Sequence, residues 1–182
     1  AFRDYDRQVH IINGKWAGDR PVTDEEGRLL ERAQYDDDEW LNLILRFSAL
    51  PGTSRHHWGT DLDIWDASTV DEDYRLLLMP CEYGPSGPFC DMTRWLDDLM
   101  AADDAEGFYK PYAVDRGGIA PEAWHISYRP AALKYQDAVS AELLIPLWRG
   151  EADACGNVHE PLAMLDVIEP QVDYLMERYV LH

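Results

Sequence analysis

Two short stretches hold side chains whose types and spacing could do chemistry. The first runs Ser54-Arg55-His56-His57-Trp58-Gly59-Thr60-Asp61-Leu62-Asp63 and sets two imidazoles ahead of two carboxylates. Imidazole nitrogen and carboxylate oxygen are both good zinc donors, and a catalytic zinc takes three protein ligands and keeps one position open for water. Asp61 and Asp63 alternate with Leu62 and Ile64 as on a strand, so the two carboxylates should project to one side. A third donor must come from elsewhere. The second stretch, Pro121-Glu122-Ala123-Trp124-His125, offers an imidazole with a carboxylate three residues before it. Residues three apart on a strand face opposite ways, so Glu122 and His125 meet one metal only if Pro121-Glu122 belongs to the preceding turn. The His-Glu-x-x-His helix signature is absent, because His159-Glu160 is followed by Pro161 and no second His.

These residues need elements to hold them. Val9, Ile11 and Ile12 suggest the end of a helix that stops at Asn13-Gly14, and residues 17–28, with Gly18, Pro21 and Gly27 among charges, read as a surface loop. Asp36 to Glu39 precede Trp40, Leu43, Ile44 and Phe47, an apolar stripe at helical spacing whose N-terminus favours negative charge. Pro51-Gly52 is expected to end that helix and lead into the first chemical stretch. Further expectations are a strand over 74–79, a loop over 80–88, and a helix from Asp91 to about Met100 that buries Met92, Trp95, Leu96 and Leu99. Aromatic-rich strands at 108–114 and 124–128 flank the breakers Asp115-Arg116-Gly117-Gly118, a hairpin pattern. Beyond Ala131 the sequence turns helical near 139–148 and 167–179, interrupted by a loop from Gly150 to Pro161.

The remaining composition narrows the function classes. With 182 residues, the chain is read as one globular domain. A hydrophobic fraction of 46%, with seven Trp and ten Tyr, supplies the apolar surface that a disordered chain lacks. The formal charge of -19 disfavours nucleic acid, whose phosphates call for clustered Lys and Arg. No apolar run is long enough to span a bilayer. Three cysteines, Cys81, Cys90 and Cys155, are too few and too scattered for a disulfide framework or a Cys-rich zinc site, although Cys81 and Cys90 flank a loop and could pair. Ala1 at the start, with no basic and apolar leader after it, reads as a processed or trimmed beginning.

The pattern Ser54-x-His56-x-x-Gly59-x-x-x-Asp63 together with Glu122-x-Trp124-His125 resembles the zinc D-alanyl-D-alanine carboxypeptidase and dipeptidase family, of the VanY and VanX type, related to hedgehog and lysostaphin. The resemblance spans nearly the whole chain. It implies an α+β fold in which a small antiparallel sheet carries the zinc ligands and helices pack around it. It also implies one zinc ion held by His56, Asp63 and His125, with Glu122 as the catalytic base. Ala1-Phe2-Arg3 with Gln8 matches the close of the family's small-aromatic-Arg segment, so Arg3 is expected to bind the substrate's terminal carboxylate in a bidentate fork, with Ser54 adding a hydrogen bond nearby.

The implied substrate is a peptidoglycan stem peptide, cleaved at a D-alanyl bond in a periplasmic or extracellular setting. In the implied mechanism zinc lowers the pKa of its water to about 7 and polarises the scissile carbonyl, while Glu122 takes the proton and returns it to the leaving amine. An endopeptidase that cuts cross-links with the same zinc core, and a binding module that keeps zinc without catalysis, are the alternatives. Three departures stand out: Asp4 replaces the usual Ser, Asp61 replaces a small residue, and the chain begins inside the Arg segment, so family sequence is expected before Ala1. Asp61 either tunes the site or lies at its rim. His57 reads as a neighbour rather than a ligand, and His10, His159 and His182 read as surface histidines without partners.

Overall fold

The computed structural model describes residues 2–180, so Ala1 of the Arg segment and His182 lie outside the described residues. Asp4 has extended backbone and its carboxylate accepts from the Arg7 N–H at 2.7 Å, which caps helix α1 (Tyr5–Ala17). Aspartate and serine are both favoured at this position. The helix does not stop at Asn13-Gly14. It continues to Ala17 and ends at Gly18, whose φ of 82° suits glycine. Asn13 is engaged in a tertiary contact instead: its amide donates to the Pro161 carbonyl and accepts from the Ala163 N–H, each at 3.0 Å.

The loop expected over 17–28 begins after Ala17, holds an isolated bridge between Thr23 and Leu29, and runs on to a 3-10 turn at Arg32–Gln34. Helix α2 (Asp37–Leu45) starts with a capping box in which Asp36 and Glu39 satisfy each other's backbone N–H. Its buried face is Trp40, Leu41, Ile44 and Leu45, whereas Leu43 and Phe47 of the expected stripe are half-buried. The helix ends well before Pro51-Gly52. Between Leu45 and Ser54 the chain crosses the core without regular structure, tied by Gln8 Nε2 to the Ala49 carbonyl at 2.6 Å and by Trp148 Nε1 to the Pro51 carbonyl at 2.9 Å.

After strand β1 (Asp61–Asp63) the expected strand at 74–79 does not form. One buried carboxylate replaces a strand partner there: Glu82 accepts from the N–H groups of Leu77 and Met79 and from the Tyr74 hydroxyl. Leu78, at φ 55°, breaks the extended run. Within the expected loop at 80–88 lies a single helical turn, α3 (Pro80–Tyr83).

Helix α4 (Cys90–Ala101) has Phe89, not Asp91, as its cap residue and no fully buried side chain. Trp95 is 59% exposed, because α4 rides on the surface and only Met92 packs on the small apolar cluster of Tyr83, Phe89 and Trp124. Cys81, Cys90 and Cys155 are free thiols.

Strands β2 (Phe108–Tyr109) and β3 (His125–Tyr128) pair antiparallel as the hairpin pattern suggests, but β2 is shorter than expected and the connection is a long loop. The sheet order is β1-β3-β2, with Asp63 opposite His125 and Asp61 opposite Ser127. The remaining helices are α5 (Arg129–Gln136), α6 (Ala141–Trp148), α7 (Leu165–Ile168) and α8 (Val172–Tyr179). The main core gathers Val9, Ile12, Trp40, Ile44, Trp148 and Leu175 from four of these helices, and the sheet stands beside it. The architecture is α+β, and the segment from Leu50 to His57 runs between helical core and sheet. No helix among the described residues is long and apolar enough to cross a membrane.

Candidate metal centre

Three local structures bring the chemical side chains together. Ser54 precedes a 3-10 turn, Arg55–His57, that presents His56. Strand β1 carries Asp61 and Asp63 on one face, and the pairing places His125 of β3 directly across from Asp63. Glu122 lies before β3 in a turn closed by the His125 N–H to Glu122 carbonyl bond at 3.3 Å, which satisfies the condition set by Pro121.

One donor atom each from His56, Asp63 and His125 lies within 4.8 Å of the others. His56 Nε2 is 3.4 Å from one Asp63 oxygen, and His125 Nδ1 is 3.5 Å from the other. Tetrahedral zinc with bonds of 2.0–2.1 Å separates its ligand atoms by about 3.3–3.4 Å, close to each His–Asp63 separation, and two imidazoles with one carboxylate are a donor set that suits the ion. Glu122 Oε2 stands 3.1 Å from His125 Nδ1. These groups line a cavity of about 180 Å³ together with Arg3, Ser54 and Tyr112.

Arg3 is held at both ends. Its N–H donates to the His56 carbonyl at 3.1 Å and its Nη1 donates to Gln8 Oε1 at 3.0 Å. Gln8 is fully buried, so its two bonds, to Arg3 and Ala49, fix the guanidinium at the cavity wall. Burial draws the Arg3 pKa down, with Asp63 and Glu122 acting against it. Ser54 is buried and its hydroxyl does not cap the turn that follows. His57 points away: its Nδ1 lies 2.6 Å from the Arg3 carbonyl, so it props the Arg segment.

His10 is exposed. His159, expected to have no partner, has Nδ1 at 2.7 Å from Asp6 and packs its ring 4.7 Å from Tyr5, which pins the Gly150 to Pro161 loop to α1. The sequence shows only a His far from Asp6, and folding closes that gap.

Asp61 is neither a ligand nor a rim residue. It is 1% exposed, and its Oδ2 lies 2.7 Å from His125 Nε2 and 2.9 Å from Arg55 Nε. Burial opposes its charge, but hydrogen bonds with His125 and Thr60 and the Arg55 cation hold its carboxyl down to about 2. Burial likewise opposes charge on His125, and its bonds to Asp61 and Glu122 outweigh this and push it up to about 9. Asp63 is lowered despite burial, chiefly by His56 and then by His125. Tyr112, which no spacing rule singles out, sets its ring 5.0 Å from that of His125 while its carbonyl accepts the Glu122 N–H, and burial pushes its hydroxyl pKa up.

Residues 1–131 match the family model described as VanY: D-alanyl-D-alanine carboxypeptidase. The chain belongs to the VanY family. An uncharacterized protein of Haemophilus influenzae is 36% identical over 103 residues, 56% of this chain and 77% of its own. A second uncharacterized protein of that organism is 46% identical over 50 residues, 28% of this chain and 34% of its own. VanYB in complex with D-Alanine-D-Alanine shows a TM-score of 0.44 at 22% identity, covering 78% of this chain and 65% of that one. A mutant of the vancomycin resistance D,D-pentapeptidase VanY from a VanB-type cassette, in complex with Zn(II), shows 0.43 at 23%, covering 78% and 66%. The chain therefore spans just under two thirds of those solved VanY chains. All seven residues singled out from the VanY pattern, Arg3, Gln8, Ser54, His56, Asp63, Glu122 and His125, fall within the matched residues.

Proposed function

We propose that this chain is a zinc-dependent carboxypeptidase that removes the terminal D-alanine from peptidoglycan stem peptides ending in D-Ala-D-Ala. The observation that carries this reading is the convergence of a His-Asp-His donor set, the Glu122 carboxylate and the Arg3 guanidinium on one cavity. His56, Asp63 and His125 would hold the ion, which supplies Lewis acidity toward the carbonyl and acidifies water. Glu122 takes the proton from the attacking water and delivers it to the departing D-alanine nitrogen.

Arg3 binds the free C-terminal carboxylate as a two-pronged donor, held in aim by Gln8. Ser54 offers its hydroxyl beside it. Intact Glu122 opposes a purely structural zinc module, which has no use for a base. The reading takes the chain as one catalytic unit and places its work where peptidoglycan is, in the periplasm or outside the cell.

The test compares D-alanine release from a free-acid stem pentapeptide with release from its C-terminal amide. A carboxypeptidase guided by Arg3 loses most of its activity on the amide. Equal cleavage of both, or cleavage only within a cross-link, replaces this reading with an endopeptidase.

A further inference from the structure

The structure gives the Asp61 carboxylate a defined, buried position behind the His56, Asp63 and His125 donor set. Each of its oxygens has two partners. Oδ2 faces His125 Nε2 at 2.7 Å and accepts from Arg55 Nε at 2.9 Å. Oδ1 accepts from the hydroxyls of Thr60 at 2.6 Å and Ser127 at 2.9 Å. A carboxylate has about four acceptor positions, so Asp61 is saturated and cannot turn into the cavity as a fourth ligand.

Arg55 is equally committed. Besides Asp61 it donates to Gln136 at 3.0 Å, to the Tyr109 hydroxyl at 2.7 Å and to Ser127 at 2.8 Å, and its guanidinium lies 4.8 Å over the Trp58 ring. A buried carboxylate left without such a partner is strongly destabilising. Arg55 and Asp61 are therefore one unit, reaching all three strands and α5.

We propose that Asp61 is a positioning residue that fixes which nitrogen of His125 faces the metal, with Arg55 as the counter-charge that permits a carboxylate there. Neutral imidazole carries one N–H. In the neutral ring that metal binding requires, an Nε2–H donated to Asp61 leaves the lone pair on Nδ1, the nitrogen that faces Asp63 at 3.5 Å and Glu122 at 3.1 Å. The bond also holds the ring against rotation, as a second carboxylate behind a ligating His does. This inference rests on the reading that His56, Asp63 and His125 hold zinc.

The experiment measures zinc affinity of the full chain by competition with a chromophoric chelator, alongside nitrogen-15 NMR of the His125 ring. Asp61→Ala is expected to bind zinc 10- to 100-fold more weakly, with the Nε2–H signal of the zinc-bound ring lost or broadened. Asp61→Asn keeps an acceptor for that N–H without the charge, and is expected to fall between the wild type and Asp61→Ala.

Zinc-free melting midpoints separate positioning from folding. If the variants melt lower but bind zinc within twofold of the wild type with the same tautomer, Asp61 is only structural and the inference is overturned. A wild type that binds no zinc would instead overturn the reading beneath it.

Discussion

Replacing Glu122 by Gln removes the proton acceptor with little change of shape. The backbone that positions residue 122, through its N–H to the Tyr112 carbonyl at 2.9 Å and its carbonyl to the His125 N–H at 3.3 Å, is indifferent to the change. The zinc donor set is untouched. What disappears is the carboxylate oxygen 3.1 Å from His125 Nδ1, the group placed to take a proton beside the metal ligands. General-base catalysis contributes about 10²- to 10⁴-fold, which corresponds to roughly 2.7 to 5.4 kcal/mol at 1.36 kcal/mol per tenfold. Steady-state D-alanine release should accordingly show kcat lower by about that factor. KM should stay within a few-fold, and zinc should remain at one equivalent. A variant that retains zinc and turns over within threefold of the wild type refutes the assignment of Glu122 as base.

Arg3→Ala should raise KM for the free-acid peptide by about ten- to a hundredfold, the worth of a charge-assisted hydrogen bond, while cleavage of the amide hardly changes; kinetics on the two substrates decide this. Trp148→Ala, which empties a fully buried site and removes the bond to Pro51, should cost about 3–5 kcal/mol in urea unfolding. The Asp61 and His125 pair should shape the pH dependence of the zinc-free protein. Asp61 is held at about 2 against an ordinary 3.8, so its contribution, on the order of 2 kcal/mol, is present above 3.8 and lost as pH falls toward 2. His125 is raised from 6.5 to about 9, so its contribution is present below 6.5 and lost as pH rises through 9. Urea midpoints measured across pH should fall at both ends, and Asp61→Asn should flatten both limbs; an unchanged profile in the variant contradicts the pairing.

Local signals in the sequence reached the metal centre because its residues sit in two compact stretches. Asp63 and His125 meet through a single strand pairing, and the alternation of Asp61 and Asp63 already places both carboxylates on that face. The turn at Glu122 was legible from Pro121. What stayed hidden depends on contacts across the fold. Whether Asp61 tunes the site or lies at its rim stays open in the sequence because nothing in its neighbourhood shows His125 Nε2 or the Arg55 guanidinium beside it. The segment at 74–79 has strand-like residues, yet Glu82 satisfies its backbone first. Trp95 in a helical stripe predicted burial, but α4 has too little protein over it. Asn13-Gly14 reads as a stop because neither Asn13's tertiary partners nor the C-cap at Gly18 is implied by helix periodicity.

In the proposed reaction His56, Asp63 and His125 hold a zinc ion that, with Glu122, releases D-alanine from a stem peptide. Product analysis on a defined stem pentapeptide, run with the wild type as purified, after chelation and after zinc is restored, tests it most directly. Tetrapeptide and free D-alanine should form, disappear on chelation, and return at one equivalent of zinc. Release of D-alanine that survives complete removal of the metal would contradict it.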